Sequence, residues 1–261
     1  GRVRRQCAPG PPRMSGAPTH ASSSPRAPWA WVPTLYFGQG LPFVAVTVLS
    51  VVCYKNLGVS NRDIALVTSS FYLPWVIKPL WSPLVDLHGL KRTWVLGFQA
   101  VLAAGFLLLG LGFSLPDFLL GTSVRIGGLA LASATHDIAA DGFYLLALSE
   151  RQQAAFVGLR SAFYRVAMVV GQGGLVGLAG WLMARQGNPR VAWSLVFALL
   201  GLGFGALFLW HRHRLPVAEL RGQGGPSFRL SEGLATFRSY VARPGMGLAL
   251  AYLLTFRLGE A

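Results

Sequence analysis

Asp137 and Asp141 stand four residues apart inside an apolar stretch, so a helix places both carboxylates on one face. Ser133 and Tyr144 extend that face. The next apolar stretch carries Arg160 and Arg165. In an antiparallel hairpin turning near Arg151, Asp141 and Arg160 lie about 15 Å from the turn, and Asp137 and Arg165 about 21 Å, at the rise of an α-helix. The spacing predicts at least one Asp–Arg ion pair. The two arginines stand about 140° apart around an ideal helix, so the second is expected to face a central cavity or the cytoplasmic rim. Three uses remain open for such charges: holding the hairpin together, gating, and carrying a proton or a substrate. A carboxylate held by a cation serves poorly as a proton carrier unless the pair opens during the cycle.

Other residues join this intramembrane charge network. Lys78 lies two turns before Asp86 and is framed by Pro74, Pro79 and Pro83, each of which removes a backbone donor. It either snorkels to the interface or sits in a moving, bent element. Gly38-Gln39-Gly40-Leu41-Pro42 is expected to break or bend its helix, with Gln39 offering a polar contact. Gln39, Arg125, Tyr144 and Tyr164 are the candidates for substrate or cavity contacts. Arg257 and Glu260 fall in the last apolar run. Gly173 and Gly177 have a GxxxG spacing, read as close helix packing. A phosphate loop is excluded, since neither a strand nor Gly-Lys-Ser/Thr accompanies these glycines.

No catalytic or metal site emerges. Cys7 and Cys53 form no metal-ligand pattern, and His211-Arg212-His213-Arg214 reads as a basic interfacial cap. His136 and Asp137 are neighbours, so they point about 100° apart and make no ready triad with Ser133. No cofactor is expected; a proton gradient is the candidate energy source.

The elements that must position these residues follow from composition. The chain has 261 residues, 53% hydrophobic and 12% charged, with mean hydropathy +0.49. Soluble domains carry about 25% charged residues, so an ordinary soluble enzyme and a disordered chain are both excluded. The expected fold class is an all-α polytopic membrane protein. Apolar runs at Trp31–Val52, Ile64–Leu84, Trp94–Phe113, Phe118–Leu146, Ala154–Leu182 and Val191–Trp210 predict six spans. The expected organisation is a basic Pro/Ser-rich disordered tail over 1–28 (with Met14 a candidate start and 1–13 before it), a six-span bundle over 29–210, a central loop over 211–244, and a truncated seventh helix over 245–261.

The net charge of +14 would suggest nucleic acid in a soluble protein. Here it is assigned to loops. With the N-terminus inside, fourteen Lys and Arg fall in inside segments and four outside, which favours a cytoplasmic N-terminus. Six spans, a basic loop and the start of a seventh span match the first half of a two-times-six transporter, so the chain is read as a fragment, with a dimerising half-transporter as the alternative. The expected partners are the lipid bilayer, a small-molecule solute and the missing C-terminal half, with no nucleic acid.

The loop Asp86-Leu87-His88-Gly89-Leu90-Lys91-Arg92 resembles the D-x-x-G-x-[RK]-[RK] signature of major facilitator superfamily transporters, with Ser82 and Pro83 where the family's leading Gly stands. The resemblance implies a cytoplasmic gate built from Asp86, Gly89, Lys91 and Arg92. Lys78-Pro79-Leu80-Trp81-Ser82-Pro83-Leu84-Val85-Asp86 looks like the K-x-L-W-S-P-L-x-D run of AmpG-type muropeptide permeases, and Ser133-Ala134-Thr135-His136-Asp137-Ile138-Ala139-Ala140-Asp141 resembles their S-A-x-x-D-I-x-x-D run. Gly40-Leu41-Pro42 fits their first span, and the acetyl-CoA transporters look related. The resemblance implies a secondary transporter of the inner membrane, working by alternating access in proton-coupled uptake (symport) of a muropeptide-like or other small polar solute. The alternatives are an efflux antiporter for small amphiphiles and, in another class, a membrane-embedded enzyme or a non-transporting scaffold.

Overall fold

The computed structural model describes residues 28–87, 89–115, 117–216, 238–239, 242–243, 245–248, 251–252 and 255. The tail over 1–27, His88, most of the central loop, Arg257, Glu260 and most of the expected seventh helix lie outside the described residues. The described residues contain helices and no strand, and the protein is an all-α polytopic membrane protein. Among the described residues, five helices are long and apolar enough to cross a membrane: α1 (Pro28–Asn56), α5 (Lys91–Gly112), α6 (Phe118–Ala147), α7 (Glu150–Gln186) and α8 (Pro189–Arg214). Their surfaces carry exposed Leu111 and Leu120, as a lipid-facing surface requires.

The second expected span is three short helices: α2 (Asn61–Ser69), α3 (Leu73–Ile77) and α4 (Ser82–Leu87), joined through 3-10 turns at Ser70–Tyr72 and Lys78–Leu80. Pro74, Pro79 and Pro83 each occupy the second position of a new piece, where a missing N–H is tolerated. The expected break at Gly38–Pro42 is not there. The helix runs from Val32 through Pro42 to Val44, and the irregularity follows as a π-helical turn at Ala45–Leu49. A second π-helical turn, Val170–Leu175, interrupts α7 and packs against the first. The Gly38–Pro42 stretch packs closely on α7, with Gly40 lying against Ala167 and the Tyr164 carbonyl.

Packing runs α7–α1–α6–α5–α8 around the bundle, with α3, α4 and the two 3-10 turns laid on α6. Ser149 forms a capping box with Gln152 to start α7, and Gly187, at φ 63°, ends it. The interior holds two apolar cores. One contains Phe106, Phe113, Trp193, Phe197 and Phe204; the other contains Trp31, Tyr36, Phe143 and Tyr144. Between them each helix of the ring except α7 contributes buried polar residues: Gln39 from α1, Gln99 from α5, Ser133, His136 and Asp137 from α6, and His211 from α8.

Gly173 and Gly177, read as a GxxxG packing pair, meet no partner helix among the described residues. A Cβ at either would meet nothing within 4 Å among the described residues, whereas one at Gly171 would collide with Val44. Spacing reveals a shared helix face but not which way that face points.

Candidate functional site

The polar layer divides into two parts because neighbours on α6 diverge. His136 turns toward α5 and α8. Its Nε2 lies 3.3 Å from Gln99 Nε2, which lies 2.8 Å from His211 Nδ1, while His211 Nε2 lies 2.9 Å from Thr34 Oγ1. Thr34 donates to the Trp31 carbonyl, so its oxygen accepts from His211 Nε2–H, and the Gln99 amide then donates to both rings. Four helices are joined by this chain. Gln99→Leu is expected to leave two buried ring nitrogens without donors and to destabilise the bundle by about 2–4 kcal/mol, read by thermal unfolding in detergent.

Asp137 turns toward α3 and α7. Its Oδ2 accepts from Trp75 Nε1 at 3.1 Å and from Lys78 Nζ at 3.4 Å. Its Oδ1 is buried with no hydrogen-bond partner. The residue is 6% exposed, so this free oxygen is an unusual expense in the bundle. Lys78 reaches it because the 3-10 turn at Lys78–Leu80 breaks the segment at that depth.

One turn further along α6, Asp141 Oδ1 accepts from Tyr36 Oη and from Arg160, both at 3.0 Å. The Arg160 guanidinium also stands over the Tyr36 and Tyr144 rings, 4.6 and 5.1 Å from their centroids. Arg160 thus meets Asp141, the partner at its own depth. Asp137 meets Lys78 and not Arg165, because α3 and its following turn lie against α6 at that level.

Of these side chains, Tyr36, Trp75, Lys78, Asp137 and Arg160 line a cavity of about 430 Å³. Its polar wall is Gln39, Lys78, Asp137, Arg160 and Arg165, and its aromatic wall includes Tyr36, Phe43, Trp75 and Tyr164. Gln39 Oε1, like Asp137 Oδ1, is buried without a partner. Two expected cavity contacts are elsewhere. Tyr144 donates its hydroxyl to the Gln153 carbonyl at 2.6 Å, away from the lining. Arg125 sits 12 residues before Asp137, about 18 Å along the helix, beside Gly112 and Gly121. Trp75, Phe43 and Tyr36 were absent from the sequence-based candidates. An aromatic residue in an apolar run carries no signal of its own there.

The expected gate residues form a separate cluster. Lys91 Nζ donates to Asp86 at 2.6 Å and to the Val85 carbonyl at 2.7 Å. Gly89 takes φ 71°, which glycine adopts without strain. Arg92 donates to the carbonyls of Arg212 and Leu215 at 2.6 and 3.3 Å, capping α8. Lys91 is buried, while Asp86 is exposed, so the ion pair itself contributes little. Lys91→Met is expected to cost about 1–3 kcal/mol, mainly by stranding the Val85 carbonyl, measured by thermal unfolding in detergent.

Against known proteins, the sequence pattern of the BT1 family matches residues 38–236. An uncharacterised protein of Schizosaccharomyces pombe is 30% identical over 147 residues, 50% of this chain and 28% of that protein. An uncharacterised protein of Haemophilus influenzae is 31% identical over 227 residues, covering 84% of this chain and 50% of the relative. The anhydromuropeptide permease of Escherichia coli is 26% identical over 243 residues, 87% of this chain and 45% of the permease. The chain spans half or less of the length of these relatives.

Proposed function

The chain belongs to the BT1 family, and from that premise we propose that it forms the N-terminal half of a proton-coupled secondary transporter for a muropeptide-like or other small polar solute. Asp137 is the observation that carries this reading. It is a buried carboxylate on the wall of a cavity of about 430 Å³, with one oxygen held by Lys78 and Trp75 and the other without a partner. Ionisable groups at membrane depth are costly and cluster on solute and ion pathways. The name of the Escherichia coli relative supports transport over catalysis.

In this reading the cavity is one wall of a midplane site, and the two halves rock about it in alternating access. The Asp137–Lys78 pair opens when the carboxylate takes a proton, and solute occupies the freed space. Asp86, Gly89, Lys91 and Arg92 gate the cytoplasmic side, and the excess of arginine on the loops assigned to that side supports a cytoplasmic N-terminus in an inner membrane. The partners are the bilayer, the solute and the second half of the transporter.

Uptake of a radiolabelled anhydro-muropeptide into proteoliposomes holding the chain together with the second half of the transporter tests this, with the lumen alkaline or at equal pH. Accumulation driven by the gradient is expected. Equal uptake under both conditions would remove the proton from the mechanism, and no uptake under either would remove the transport reading for that solute.

A further inference from the structure

The charges around the cavity do not balance. Among the described residues, Lys78, Arg160 and Arg165 line it as cations, against Asp137 on the wall and Asp141 paired with Arg160. Each carboxylate is engaged: Asp137 by Lys78, Asp141 by Arg160. Arg165 lines the cavity, and among the described residues it has no ion pair. Swinging Arg165 onto the free oxygen of Asp137 would not remove the excess, because three cations would still face two anions. A surplus positive charge at membrane depth calls for an anion. The cavity also offers an acceptor with nothing to accept. Gln39 is 7% exposed, lines the cavity, and its Oε1 has no donor.

We propose that the transported solute carries an acid group together with hydroxyl or amide N–H donors, and that Arg165 receives the acid group while Gln39 Oε1 accepts from the donors. The inference rests on the reading of this cavity as the solute site. Arg165 suits the role because its guanidinium is permanently charged and binds a carboxylate through two parallel N–H···O bonds. Arg160, five residues earlier, points about 140° away around the helix and stays with Asp141. One arginine therefore holds the bundle's own carboxylate while the other remains for the solute. The aromatic wall of Phe43, Trp75 and Tyr164 then takes the apolar faces of a ring.

A matched pair of ligands isolates the acid group: N-acetylmuramic acid and its methyl ester, titrated calorimetrically into the full chain in lipid nanodiscs. The acid is expected to bind at least about tenfold more tightly than the ester. Arg165→Gln is expected to weaken the acid far more than the ester and so to remove most of that preference, and Arg165→Lys to restore most of it. Gln39→Leu is expected to weaken both ligands alike. Arg165 is exposed, so its variants keep the fold, and thermal unfolding checks this. Equal binding of acid and ester by the unaltered protein, or equal losses for both in Arg165→Gln, overturns the assignment while leaving the cavity a solute site. Absence of binding by either ligand overturns both the assignment and the reading on which it rests.

Discussion

Replacing Asp137 with Asn is expected to reduce gradient-driven uptake by at least about tenfold and to destabilise the protein by about 3 kcal/mol. The two effects have different origins. The stability loss comes from Lys78, whose ammonium keeps its charge after its counter-ion is gone. Breaking a buried ion pair costs about 3–5 kcal/mol, and the lower end applies because the Lys78 side chain is 27% exposed. The uptake loss comes from the carboxylate, which an amide cannot replace as a proton acceptor. The double variant Lys78→Met with Asp137→Asn separates them. With both charges removed, most of the stability should return, as it does when a buried pair is replaced as a unit. Uptake should not return. Thermal unfolding in detergent and uptake into proteoliposomes, measured on both variants, decide among the uses left open by the sequence. Recovery of both properties in the double variant would make the pair structural and leave coupling to another group.

The contrast between Asp137 and Asp141 shows how far the sequence carries. Their four-residue spacing places them on one helix face, and the hairpin arithmetic matches Arg160 to Asp141, because those relations are local to one turn of chain. Lys78 and Trp75 meet Asp137 from 59 and 62 residues away. Nothing in the periodicity of α6 indicates which element covers it. The three prolines signal that the second segment is irregular, but only the fold shows that the irregularity delivers Lys78 to the carboxylate. Gln99 and His211 are harder still. Each is a single polar residue in or at the end of an apolar run, and the buried chain they make with His136 exists only once α5, α6 and α8 are packed. Apolar patterning reports the two cores; the layer between them is defined by the residues that interrupt the pattern at one level on four helices.

Glycine gives the second large effect, and its sign depends on position. Gly40→Ala is expected to destabilise the protein although alanine favours a helix over glycine by about 1 kcal/mol. The added Cβ would stand 2.8 Å from the Ala167 Cβ and 2.9 Å from the Tyr164 carbonyl oxygen. Neither can rotate away, so α1 and α7 must separate. Overpacking of this kind costs about 1–3 kcal/mol, which outweighs the propensity gain, and Gly40→Val should cost more. Gly177→Ala, also in α7, meets nothing within 4 Å and is expected to stabilise by about 0.5–1 kcal/mol. Uptake should follow the same division. Gly40 adjoins Gln39, and its obstruction is Tyr164, so separating the helices distorts two walls of the cavity. Gly177 lies about 18 Å along the helix axis from Arg165 and should leave uptake unchanged. Thermal unfolding of the two alanine variants shifts in opposite directions, and uptake falls only in Gly40→Ala, if the α1–α7 contact sets the cavity. A neutral Gly40→Ala would show that the two helices are free to move apart, and the geometry of Gln39, Tyr164 and Arg165 would then have to be held by the α2–α4 segment instead.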